Sequence, residues 1–155
     1  MALEVPAVLQ SLSSAGSALR ALSAWTKKAK GDSRALIAEL KDNLYYLDMV
    51  AEDGVALDAV VSKLSISEYK RLSREGYNFN ALRKKKIPSY ESLKGTDLAS
   101  WSGKSTEDLI ESIFEKLNLL IIKFPHVGDS SKYRWNVRVD NIRKRIWLLL
   151  KHVSD

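Results

Sequence analysis

Cysteine is missing altogether from the 155 residues, and only three prolines and two histidines are present. The first absence excludes disulfides and thiolate metal centres, and it fits a reducing compartment, so a cytoplasmic protein is expected. Two histidines without cysteine give little from which to build a metal site, and no cofactor or metal is expected. No run approaches the roughly 18 uninterrupted apolar residues of a membrane span. Met1 to Val5 hold an acid and no base, which is not the start of a secretory leader. Nowhere does an alternating apolar and polar pattern persist with β-branched enrichment, so no sheet is predicted. A fixed-period repeat is lacking too.

What is present is an ordinary globular composition, 45% hydrophobic and 28% charged. A chain this long forms about one domain, and residues 1–155 read as a single unit. The formal charge of +6 is unevenly spread: +3 over residues 1–31, −3 over 32–76, +4 over 77–104, −2 over 105–128 and +4 over 129–155. This alternation allows internal pairing as well as a basic surface.

Helical periodicity dominates. Pro6 suits the first turn of a helix predicted over 5–29, with Val5, Val8, Leu12, Leu19 and Leu22 on one face and Gly31 as its stop. A second helix is predicted over 33–53, capped by Asp32 or Ser33 and ended by Gly54. Two short helices follow. One covers 55–64; the other opens on a capping-box pattern, Ser65 with Glu68, and ends near Gly76. Later, Ser105 or Thr106 caps a helix over 106–123, which Pro125 and Gly128 close, and a last helix runs over about 131–153. The expectation is an all-α bundle of about four principal helices, two short ones and one long basic loop.

That loop, 77–104, contains Arg83, Lys84, Lys85 and Lys86 framed by Tyr77, Phe79 and Tyr90, a mixture of cations and aromatics of the kind single-strand binders use. The string Gly103-Lys104-Ser105-Thr106 looks like the end of a phosphate-binding loop. Such a loop needs a further glycine five residues before Gly103, where Leu98 stands, so no nucleotide site is assigned.

The last helix carries two more signals. Arg138, Asn141, Arg145 and His152 fall within about 40° of Arg134 on a helical wheel, a stripe suited to phosphates or to pairing with Glu107, Glu111 and Glu115 of the preceding helix. Arg145 and His152 also resemble, at its widest spacing, the R-x(4–6)-H motif of HEPN ribonucleases. That resemblance implies RNA cleavage at a dimer interface, with both residues facing the RNA backbone. The polar residue that usually follows the arginine is replaced here by Ile146. Trp147 and Leu148 lie off the main apolar face of that helix, which marks them as candidates for contact with a protein partner.

Between Glu4 and Lys27 the only charge is Arg20, a pattern that also suits a helix lying in a membrane interface. Taken together, the residues favour a non-enzymatic interaction or regulatory module, working through a protein partner or a homo-oligomer by way of Trp147 and Leu148. The alternative is a nucleic-acid-binding subunit using Arg83 to Lys86 with Arg134, Arg138 and Arg145. A membrane-active helical effector comes after these. No small-molecule substrate is inferred.

Overall fold

A computed structural model describes residues 4–154. The fold is all-α, and no strand occurs among those residues. Its helices are α1 (Gln10–Ser13), α2 (Ser17–Lys28), α3 (Gly31–Asp53), α4 (Leu57–Val60), α5 (Ser67–Arg74), α6 (Thr106–Val127) and α7 (Trp135–Ser154). Four of them, α2, α3, α6 and α7, make the bundle. In space α2 packs on α3, α3 on α7, and α7 on α6. One contiguous core runs from Leu9 to Leu150.

The expected first helix is broken. Ser14 is extended and Gly16 adopts φ 76°, in the left-handed region that suits glycine. The serine hydroxyls of Ser13 and Ser14 bond the carbonyls of Gln10 and Ser11, giving the backbone an alternative to the helix. A second break, at extended Ala29 and Lys30, starts α3 at Gly31 rather than at an Asp32 or Ser33 cap. At the other end the prediction holds: Gly54 turns left-handed, and the Val55 N–H reaches the Met49 carbonyl at 3.1 Å.

α5 begins at Ser67 with no cap of the predicted kind. Its free N–H groups are met by Glu39 of α3 instead, which accepts from Glu68 N (2.9 Å) and Tyr69 N (3.0 Å) and from the Ser65 and Ser67 hydroxyls. One turn along α3, Asn43 accepts from Ser65 N and donates to the Ser65 carbonyl. A buried carboxylate is tolerated there because four donors and a helix N-terminus meet it.

α6 opens with the predicted Ser105 cap and its capping box with Asp108. It runs through Pro125 to Val127, past the predicted end. A proline in the last turn removes one intrahelical bond at most, and Phe124 packs edge-on against Trp135 to hold that turn. Residues 131–133 form a 3-10 turn, and α7 starts only after Arg134, which takes φ 48°.

The long loop is ordered. Phe79, Ile87, Leu93, Leu98 and Trp101 are buried, and Ile87 exchanges backbone hydrogen bonds with Gly103 and Lys104, each 2.9 Å. Its inner side lies over the C-terminal half of α7: the Arg83 carbonyl and His152 both bond Thr106, and Asp97 meets Lys144 and Arg145. With α2 and α3 also against it, α7 is enclosed, which explains why Ile146 to Leu150 are apolar all the way round.

Candidate nucleic-acid interface

Enclosure of α7 corrects one expectation outright. Trp147 is 2% exposed and Leu148 0%, so neither offers a partner surface; both belong to the core. The helical wheel could not show this, because the cover comes from elsewhere in the chain: the Arg143 guanidinium, paired with Asp48 and Glu52 of α3, lies over the Trp147 ring. His152 is likewise fully buried, with Nε2 2.8 Å from the Thr106 hydroxyl. The pair that resembles the HEPN motif therefore does not share an open face. The apolar side of α2 is spent against the bundle through Ala18 and Leu22, and among the described residues no helix is long and apolar enough to cross a membrane.

The arginine stripe divides. Arg134 leaves it, since its left-handed backbone stands before the helix. Arg145 is nearly buried: Nη1 donates to the Asn141 carbonyl at 3.0 Å and lies 4.0 Å from Asp97. Burial pulls its pKa below the ordinary arginine value, with Asp97 acting the other way. Arg138 remains on the surface. Its Nε donates to the Tyr133 carbonyl at 2.7 Å, which turns the rest of the guanidinium outward over the Tyr133 and Trp135 rings.

Around Tyr133 the structure gathers, beside the expected Arg138, lysines that sequence inspection missed. Lys123 of α6 lies 5.2 Å from the ring centroid, Lys132 5.6 Å and Arg138 5.7 Å. The ring itself stacks on Trp135, centroids 5.1 Å apart, and Trp135 is braced by Phe124. Lys116, two turns before Lys123, continues the line. Burial lowers its pKa first, then the nearby charges of Arg145 and Arg138. Among the described residues none of Lys116, Lys123, Lys132 and Arg138 makes an ion pair.

The acidic ridge does not balance them. At about 100° per residue, Lys116 and Lys123 sit roughly 160–180° round α6 from Glu107. Glu107, Glu111 and Glu115 instead face Tyr69 of α5, whose pKa burial raises and these carboxylates raise further, against a Ser73 hydrogen bond. The expected pairing of stripe and ridge is therefore absent. The signal for it was legible: two lysines seven residues apart, on the flank opposite Glu107.

Lys84, Lys85 and Lys86 form a separate exposed basic surface on the outer side of the loop, without ion pairs among the described residues, while Arg83 is half-buried. Their framing aromatics turn inward. Phe79 is buried between Tyr69 and Tyr77, and Tyr90 packs on the core, so this loop presents cations without a stacking platform. Arg143, which the sequence did not single out, is buried in a network of its own with Asp48 (2.8 Å), Glu52 (2.7 Å) and Asp140 (3.3 Å), tying α7 to α3.

Comparison with protein families, with curated proteins and with solved structures finds no match to this chain.

Proposed function

We propose that the chain is a nucleic-acid-binding module whose principal contact surface is the seam between α6 and α7 around Tyr133. One observation carries this reading: Lys116, Lys123, Lys132 and Arg138, from two helices and the turn between them, converge with no ion pair among the described residues, Glu115 being the one carboxylate that acts on Lys116. Unit charges about 8 Å apart repel by roughly 0.5 kcal/mol in bulk water and roughly 2 kcal/mol at an effective dielectric of 20. Such a cluster costs free energy in the isolated protein, and a polyanion relieves it. Three of the cations rest on an aromatic ring, which holds their positions before any ligand arrives.

The contacts offered are three lysines and one arginine, so the recognition expected is of the sugar–phosphate backbone. Lys84 to Lys86 supply a second, weaker contact region. The experiment is fluorescence anisotropy with a labelled oligonucleotide across a salt series. Four phosphate contacts predict a plot of log affinity against log salt with a slope of about −3 for a single strand. K123E/R138E abolishes binding while leaving the helical circular dichroism unchanged, and K84E/K85E weakens it less. Binding that survives K123E/R138E, or no binding by the wild-type protein at low salt, overturns the reading.

A further inference from the structure

Below the open part of the seam, α6 and α7 leave a narrow cleft of about 40 Å³ lined by Lys116, Leu119, Arg138, Asn141 and Ile142. A site needs about 10–15 Å³ of such space to hold one water, so this cleft takes a few water-sized groups, which suits a phosphate and is too little for a base. Two of its walls, Leu119 and Ile142, are apolar, and the other three residues are donors. Among the described residues Lys116 Nζ, the terminal nitrogens of Arg138 and the Asn141 side-chain amide have no hydrogen-bond partner. Arg138 is nevertheless fixed, since its Nε is committed to the Tyr133 carbonyl. The Asn141 backbone carbonyl accepts from Arg145 Nη1, which leaves the Asn141 side-chain amide uncommitted.

We infer that this cleft is a seat for one phosphate group, gripped by Lys116, Arg138 and Asn141, and that it receives a backbone phosphate of the bound strand. The second half of this inference rests on the function proposed above; the first half does not. The seat sets the register of the strand on the seam without reading its sequence, because none of the three residues meets a base edge. The surrounding charges agree with it. Arg145 and Arg138 both disfavour the protonated form of Lys116, and only Glu115 favours it. A phosphate between them opposes both arginines and favours the protonated lysine.

The test follows the Lys116 side-chain carbon next to Nζ and the Asn141 side-chain amide by NMR in the full chain, with two probes in separate titrations. Inorganic phosphate at millimolar concentration is expected to shift both signals, and a short single-stranded oligonucleotide shifts the same two at far lower concentration. K116Q is expected to reduce the magnitude of the salt slope for the oligonucleotide by about 0.7, the loss of one phosphate contact on a single strand. If the oligonucleotide binds but moves neither signal, and K116Q keeps the full slope, the seat is wrong while the wider reading stands. If phosphate shifts both signals and the oligonucleotide does not bind, the seat is right and takes a free phosphate, and the wider reading fails. Silence with both probes overturns the seat and the reading together.

Discussion

Thr106 fixes the tautomer of His152. The threonine hydroxyl has one hydrogen, which it donates to the Arg83 carbonyl at 2.7 Å, so its oxygen accepts from His152 Nε2 at 2.8 Å and that ring nitrogen carries the proton. Loop, α6 and α7 thus meet at one oxygen atom. Thr106→Val keeps the shape and removes both bonds, leaving a buried carbonyl and a buried N–H unmet. The expected loss is about 1–3 kcal/mol in urea unfolding. Nitrogen NMR of the wild type should show Nε2 protonated; an Nε2 resonance of the unprotonated type sinks the assignment.

Arg143 is a structural cation, and its removal should be costly. It is 5% exposed and satisfies Asp48, Glu52 and Asp140 while lying 5.1 Å from the centre of the Trp147 ring. Arg143→Ala strands Asp48, and breaking a buried pair from one side costs about 3–5 kcal/mol. Burial already holds the Asp48 carboxyl above its ordinary value, with the Arg143 hydrogen bond and charge as the opposing effects. A raised folded-state pKa means a contribution that is present at acid pH and lost as pH rises through that value. Without Arg143 the value rises further. The deficit of the variant against wild type should therefore shrink as pH falls into the carboxylate range. A deficit that grows on acidification contradicts this account.

The extent of what the sequence revealed follows from which forces are local. The cap at Ser105, one of the two residues offered for it, the Gly54 stop and the apolar spacing of α3, α6 and α7 depend on residues within a turn or two, and each appears in the structure. Apart from the local break of the first helix at Ser14 and Gly16, the errors are tertiary. Glu39 caps α5 from 29 residues away, so no capping rule within α5 could find it. Arg134 is kept out of α7 by a turn whose aromatic neighbours, Tyr133 and Trp135, stack only in the folded chain. Trp147 appeared unpartnered because a wheel describes one helix, whereas its cover comes from other elements. The basic seam combines α6 and α7, and neither helix read separately contains it.

Glu111 offers a stabilising substitution. It stands between Glu107 and Glu115 at i±4, and its pKa is raised by burial first and then by Glu107, Glu115 and Asp108. Each like-charged pair at that spacing destabilises a helix by about 0.2–0.5 kcal/mol. Glu111→Gln removes two such pairs, so a gain of about 0.4–1 kcal/mol is expected at neutral pH. The sign with pH is set by the raised value: as acid protonates Glu111 at a pH above the ordinary 4.5, wild type recovers and the advantage of the variant disappears. Denaturant midpoints at neutral and acidic pH measure both halves, and a constant advantage across that range argues for a cause other than charge.

Asp97 should act as a built-in competitor for the nucleic acid. Among the described residues it is the only carboxylate paired with Lys144, at 3.3 Å, and Arg145, at 4.0 Å, and it is itself 45% exposed. Both distances are long for ion pairs and the site is wet, so the stability held there is small, about 1 kcal/mol or less. A strand lying along the seam toward the C-terminal half of α7 meets this negative charge first. Asp97→Asn keeps the side-chain volume and removes the negative charge with which Lys144 and the nearly buried Arg145 pair. Affinity for the oligonucleotide is expected to rise by up to roughly fivefold at low salt, the equivalent of about 1 kcal/mol, with a steeper salt dependence and an unfolding midpoint little changed. Equal affinity in wild type and variant places the strand short of Arg145, confining the contact to Lys116, Lys123, Lys132 and Arg138.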